Sequence, residues 1–139
     1  MATLVLDEIE VPSTLSFLLL EDEEHYQKCM LTFLKELGLV GEIHQSYTVE
    51  DAIKQVELKK FDVVFSDWNL PDGKGVQFLE AVRKMDNYNK SPFVMVTTMD
   101  DIQDILDASE KGSDGYIVKP YTKEDVSGAL SFGYQKRQS

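Results

Sequence analysis

Four places in the chain set a reactive side chain at the end of a short apolar run. Glu21-Asp22 follows Phe17-Leu18-Leu19-Leu20, and Asp67 follows Val63-Val64-Phe65 by one residue. Thr97 closes the run from Phe93, and Lys119 follows Gly115 to Val118. Apolar runs of this length suit strands buried on both faces. If such strands are parallel, their C-terminal ends share the edge at which open α/β sheets bind ligands. An acid pair, a lone acid, a hydroxyl and an ammonium then meet on one rim. Three carboxylates within ~4–6 Å repel one another by several kcal/mol even at an effective dielectric of about 20. A hard divalent cation relieves that repulsion, and a site of few carboxylates that keeps water and accepts phosphate oxygens suits Mg2+. Lys119 would serve as a point charge for a phosphoryl oxygen, and Thr97 offers one rotatable donor and acceptor. Together these residues describe a place to put a phosphoryl group on Asp67.

Each residue also has a plainer reading. A strand-end Asp can simply cap the next helix. Acids at Glu23 and Glu24 suit the first turn of a helix, where they complement its dipole. Glu21 and Asp22 fit that reading less well because they abut the strand. Lys119 could snorkel from the sheet to solvent, and Thr97 could be ordinary strand composition. What favours the chemical reading is that all of them arrive on one edge.

The elements that must position them follow in order. Met1 to Ser16 is acidic yet carries Leu4, Val5, Leu6, Ile9 and Val11 before Pro12-Ser13-Thr14. It reads as a loosely held terminal extension, with an edge strand or docking segment as the alternative. After the first strand, Tyr26, Met30, Phe33, Leu34 and Leu37 share one face of a helix that Gly38 ends. Val40 to His44 reads as the second strand, followed by Ser46 and Tyr47. Thr48 to Asp51 reads as a capping box for a helix burying Ala52, Ile53 and Val56. The third strand ends at Asp67, and Pro71 to Gly75 turn the chain away. A helix from about Gly75 to Met85 turns Val76, Leu79 and Val82 inward. Pro92 can open the fourth strand. Asp100 caps a helix burying Ile102, Ile105 and Leu106, which ends at Gly112. The fifth strand, Gly115 to Val118, leads to Lys119-Pro120. Thr122 to Asp125 is a second capping box, opening a helix that packs through Val126, Leu130 and Phe132. Gly128 and Gly133 each cost that helix about 0.8–1 kcal/mol relative to Ala. Five strands alternating with five helices give an α/β fold, a three-layer doubly wound five-stranded parallel sheet.

The totals agree with one such domain. The 139 residues are 42% apolar and 28% charged, with one cysteine, Cys29, and a net charge of −11. That charge would repel the phosphates of nucleic acid and disfavours an anionic membrane surface. No apolar run approaches the ~18 residues of a membrane span. Met1 to Ser16 lacks the basic start of a secretion signal, and a lone cysteine fits a cytoplasmic location.

The motifs FLLLED (Phe17 to Asp22), SDWNLPDGKG (Ser66 to Gly75), FVMVTT (Phe93 to Thr98) and GYIVKPYT (Gly115 to Thr122) resemble the receiver domain of two-component response regulators. Within it they are most similar to the single-domain CheY-like chemotaxis regulators. The likeness runs from Phe17 to about Tyr134, so residues 1–16 would be an extension and 17–139 the receiver domain. It implies the flavodoxin-like strand order 2-1-3-4-5, for which CheY is a standard example. It implies Asp67 as phosphoacceptor from a phosphohistidine on a sensor histidine kinase or phosphotransfer protein. Asp22 and Asp67 would ligate Mg2+ through their side chains, Asn69 through its backbone carbonyl and Glu21 through water. Lys119 and Thr97 would each hold a phosphoryl oxygen, Tyr116 would be the rotamer switch, and the Lys119–Pro120 bond would be cis. Such a chain is expected not to be an enzyme beyond its own phosphorylation and dephosphorylation. It would act on a target through the face of the fourth helix, fifth strand and last helix, with a phosphatase as a further partner. No output domain is expected beyond Ser139 or before Phe17.

Some positions depart from that pattern. Thr98 stands where many relatives have Ala or Gly, Met99 where the chemotaxis type carries an acid, and the glycine-bearing last helix is unlike that of a flagellar-motor regulator. Trp68 is a rim residue with no assigned chemistry. A phosphorylation-independent pseudo-receiver is the competing reading. An aspartyl-phosphate hydrolase of the haloacid dehalogenase type would need an acid at Asn69. An FMN binder would need a phosphate loop where LEDEEH stands at Leu20 to His25.

Overall fold

The computed structural model describes residues 2–98 and 102–139. Met99 and Asp100, read above as an apolar replacement and a helix cap, lie outside the described residues. The chain opens with β1 (Thr3–Leu6) and β2 (Ile9–Pro12), then β3 (Phe17–Leu20), α1 (Glu24–Glu36), β4 (Ile43–Ser46) and α2 (Val49–Leu58). It continues with β5 (Val63–Asp67), a small pair β6 (Asn69–Leu70) and β7 (Gly73–Lys74), and α3 (Gly75–Arg83). β8 (Phe93–Thr97), α4 (Ile102–Glu110), β9 (Gly115–Val118) and α5 (Lys123–Gln138) complete it. The main sheet runs β4-β3-β5-β8-β9 with every pair parallel. That is the doubly wound order 2-1-3-4-5 when only the sheet strands are counted.

Alternation along each strand sends side chains to two cores. Phe17, Leu19, Phe65, Val96 and Ile117 pack against α1 and α5 with Met30, Leu34, Val126 and Leu130. Leu18, Leu20, Val64, Phe93 and Met95 pack on the opposite face with α2 and α3, through Ala52, Val56, Phe78, Leu79 and Val82. Each such fully buried side chain contributes about 1.5–3 kcal/mol before its ordering cost. The sheet is therefore held from both faces, and the register leaves Asp67 opposite Val96 and Thr97 opposite Val118 at one end.

Several local expectations change. Residues 2–16 are not loosely held. β1 and β2 form an antiparallel hairpin whose Leu6 and Val11, with Leu15 after it, are buried in the α1–α5 core. Its turn, Asp7-Glu8, takes the left-handed region at both positions, a conformation ordinarily marked by Asn-Gly or Asp-Gly. The second sheet strand lies three residues later than Val40, because the Val40 N–H is drawn to the Ser13 carbonyl. Thr48 caps α2, but the Asp51 carboxylate turns to Ser46 instead of closing a box. The Thr122–Asp125 box closes both ways. Phe132 is 60% exposed, and Ile102 and Leu106 of α4 also face outward, leaving Ala108 as the residue α4 buries.

The turn after Asp67 does more than redirect the chain. The Asp72 carboxylate accepts the N–H groups of Val49 and Glu50 at 2.8 and 3.0 Å, filling two open donors at the start of α2. Gly75 starts α3 against the Asp67 backbone, where any Cβ would collide with the Asp67 carbonyl oxygen.

Candidate functional site

The sheet edge gathers four of the side chains singled out above. Glu21 leaves β3, Asp67 ends β5, Thr97 ends β8 and Lys119 follows β9, and all four are buried. The Lys119 ammonium reaches Glu21 Oε1 at 2.6 Å and Asp67 Oδ2 at 3.0 Å. Its backbone N–H donates to the Thr97 carbonyl at 2.8 Å, which fixes the height of the lysine on the rim. The Lys119–Pro120 bond is cis. Oδ1 of Asp67 accepts the Trp68 N–H at 2.7 Å, and Oε2 of Glu21 accepts the Glu23 N–H at 3.0 Å.

Asp22 is exposed, and one carboxylate oxygen from each of Glu21, Asp22 and Asp67 can be chosen so that all three lie within 4.8 Å. Three carboxylates and one ammonium leave a formal charge of −2 on the rim. A hard divalent cation matches both that charge and the all-oxygen donor set. Burial pushes the Glu21 carboxyl up to about 7, against the opposing pull of its Lys119 hydrogen bond and the Glu23 N–H. Burial works to lower the Lys119 ammonium, but its hydrogen bonds and attraction to Glu21 and Asp67 outweigh it and raise the group. Burial thus makes the Glu21 carboxylate costly to charge, while the Lys119 base stays firmly charged.

Asn69 sits on the exposed rim with its side-chain oxygen taken by Lys74. Tyr116 stands on β9 about half exposed. A cavity of about 270 Å³ separates α4 from β8 and β9, lined among others by Trp68, Met95, Thr97, Ala108 and Tyr116. Thr97 and Tyr116 therefore border one empty space from two sides. Trp68, half-buried, borders it as well.

Two α1 residues near the rim have roles the sequence does not show: Tyr26 reads only as part of an apolar face, and Gln27 carries no signal. The Gln27 amide N–H groups reach the carbonyls of Leu19, Glu21 and Ser46 at 3.1, 3.0 and 2.9 Å, tying α1 to the ends of β3 and β4. The Tyr26 ring lies under the Lys119 ammonium, 4.3 Å from nitrogen to ring centre. At the opposite end of the sheet, Asp114 is buried and accepts from Arg83, Arg137 and the Phe93 N–H, with Lys136 at 3.3 Å. Burial and the neighbouring Arg137 push the Arg83 guanidinium down to about 10. That cluster is a structural lock for β9 and α5.

Comparison with known proteins agrees with this arrangement. The family model for the response regulator receiver domain matches residues 17–131. The chemotaxis protein CheY-3 of Vibrio cholerae is 27% identical over 111 residues, covering 78% of this chain and 82% of that one. The chemotaxis protein CheY of Pseudomonas aeruginosa is 27% identical over 110 residues, covering 79% and 88%. The solved chemotaxis response regulator CheY4 of Vibrio cholerae superposes with a TM-score of 0.78 at 25% identity, covering 89% of this chain and 98% of that one. The chain belongs to the response regulator receiver family, with CheY-like relatives. Among the described residues no helix is long and apolar enough to cross a membrane.

Proposed function

We propose that this receiver domain takes a phosphoryl group onto Asp67 from a phosphohistidine of a sensor kinase or phosphotransfer protein. The observation that carries the proposal is the Lys119 ammonium spanning Glu21 and Asp67 on a rim completed by Asp22. Glu21, Asp22 and Asp67, with the Asn69 carbonyl, would hold Mg2+. When bound, the ion would neutralise charge on the phosphoryl oxygens and orient them.

Phosphoryl transfer asks mainly for alignment and charge neutralisation. An Asp67 carboxylate oxygen attacks phosphorus in line with the departing imidazole nitrogen. The P–N bond breaks, its electrons leave with the imidazole, and an acyl phosphate remains. Asp67 is held for that attack by the Trp68 N–H on Oδ1 and by Gly75 packed beneath its carbonyl. Lys119 stays beside Oδ2 and receives one phosphoryl oxygen; the Thr97 hydroxyl receives another.

Movement of Thr97 toward the phosphoryl group would enlarge the cavity it shares with Tyr116 and let the tyrosine turn inward. The readout would be the α4–β9–α5 face, where Ile102, Leu106, Tyr116, Val118 and Phe132 are exposed together. A target protein docking there, and a phosphatase probing Asn69, complete the cycle. The domain would catalyse only its own phosphorylation and dephosphorylation. Its lone thiol, Cys29, fits a cytoplasmic setting, and the likeness to the named chemotaxis proteins supports a role in chemotaxis.

The test is incubation with acetyl phosphate and Mg2+ followed by intact-mass measurement. One phosphoryl group should add to the unaltered chain and none to Asp67→Asn. A chain that gains no mass would instead be a phosphorylation-independent interaction module.

A further inference from the structure

We infer that Tyr26 is a positioning residue for phosphoryl transfer, holding the Lys119 ammonium on its ring face; this rests on the Asp67 phosphorylation proposed above. An ammonium has three N–H donors and no acceptor. Two are engaged by Glu21 and Asp67 at 2.6 and 3.0 Å, and the remaining side of the nitrogen faces the Tyr26 ring at 4.3 Å. The lysine side chain is only 3% exposed, so water is a poor substitute for any of these partners.

The two carboxylates are shared partners. The same groups form the acidic cluster with Asp22, and a cation held there draws their charge away from Lys119. An aromatic face differs in this respect. Its negative quadrupole attracts an ammonium, while a hard divalent cation takes oxygen donors and leaves it alone. Tyr26 is thus the one described partner of Lys119 that metal binding does not claim.

The ring is held to this task by its surroundings. The Tyr26 N–H donates to the Glu23 carbonyl at 3.0 Å, where α1 begins. Tyr121, two residues past Lys119, lies 5.7 Å from the ring centre to centre, and its hydroxyl donates to the Tyr26 carbonyl at 3.4 Å. One short segment, Lys119 to Tyr121, therefore contacts Tyr26 at both its ring and its backbone carbonyl and fixes the ring and the ammonium relative to each other.

The competing account is that Tyr26 is only apolar filling between α1 and α5. Substitutions that keep the ring separate the two. Purified Tyr26→Phe, Tyr26→Leu and Tyr26→Met chains are phosphorylated with acetyl phosphate at saturating Mg2+, and adduct formation is followed by intact mass. Leu and Met should lower the maximal rate about tenfold with little change in the half-saturating acetyl phosphate, whereas Phe restores the rate to within about twofold of the unaltered chain. Thermal melts identify a variant that fails to fold, and the other of the Leu and Met pair then carries the comparison. Rates in Leu and Met equal to the unaltered chain, or a Phe rate as low as theirs, would overturn the inference. No adduct on the unaltered chain would overturn the phosphorylation proposal itself, an outcome distinct from either.

Discussion

The ammonium of Lys119 lies 3.0 Å from Oδ2 of Asp67, although 52 positions separate them in the chain. Two strand ends, β5 and β9, with β8 between them, bring this pair together, and the cis bond that follows Lys119 belongs to the same rim. Lys119 occupies the carboxylate oxygen that a cation would also seek, so under the proposed phosphorylation lysine and metal would compete before the transfer and cooperate during it.

Replacing the lysine should expose that competition. Lys119→Ala removes a positive charge beside the acidic cluster, and Mg2+ should bind at least ~tenfold more tightly, since two like unit charges ~4 Å apart at an effective dielectric of about 20 repel by about 4 kcal/mol before screening. Phosphorylation by acetyl phosphate should fall steeply in the same variant. Emission from Trp68, the single tryptophan, follows the titration. Unchanged or weaker Mg2+ binding would show that the ion pair does not oppose the metal.

Thr98 is exposed directly after the buried Thr97. Its bulk should slow the approach of water to the acyl phosphate, so Thr98→Ala should shorten the phosphoryl lifetime severalfold. Loss of the added mass after removal of the phosphodonor gives the rate, and equal lifetimes would refute the role.

Below neutral pH the start of α2 should weaken first. The Ser46 hydroxyl, 2.7 Å from Asp51 Oδ2, holds that carboxyl below its usual 3.8, aided by Gln55 and His44 against modest burial. A lowered folded-state value stabilises the protein above about pH 4 and is lost as pH falls through it. Asp51→Asn should therefore cost about 0.5 kcal/mol near pH 7, as befits a half-exposed group, and nothing by about pH 2. Urea midpoints across that range check it; parallel curves would count against the assignment.

Asp114 should matter far more, and for folding instead of chemistry. Asp114→Asn leaves Arg83 and Arg137 without their buried counter-charge, and loss of one partner from a buried ion pair costs about 3–5 kcal/mol. Urea unfolding should show that loss, while the folded variant still gains a phosphoryl group on Asp67.

The hairpin should prove part of the folding unit. Leu6 is 4% exposed within the α1–α5 core, and Leu6→Ala should lower stability by about 2–3 kcal/mol. A value near zero would return residues 2–12 to the status of a loose extension.

What the sequence reveals follows from how local each signal is. The sheet is legible because buried strands write themselves as apolar runs, and the rim because Glu21, Asp22, Asp67, Thr97 and Lys119 each end one. The hairpin escapes because Asp7-Glu8 adopts positive φ without glycine. Phe132, Ile102 and Leu106 mislead because helical spacing marks an apolar face without saying whether another layer covers it. Tyr26 and Asp72 are opaque for a different reason. Their roles depend on partners 93 residues ahead and 23 behind, at Lys119 and Val49, and no local pattern encodes such a meeting.

The hairpin also offers a practical handle. The Ser13 N–H bonds the Ala2 carbonyl, and the Ser13 carbonyl in turn holds Val40, where the chain enters β4. Ala2 is thereby moored at the end of the sheet remote from Asp67, about one strand length or ~15 Å away. A dye, biotin or surface linker grafted at Ala2 would point away from the rim, leaving Asp67 free to meet a phosphodonor in solution while the molecule itself stays tethered.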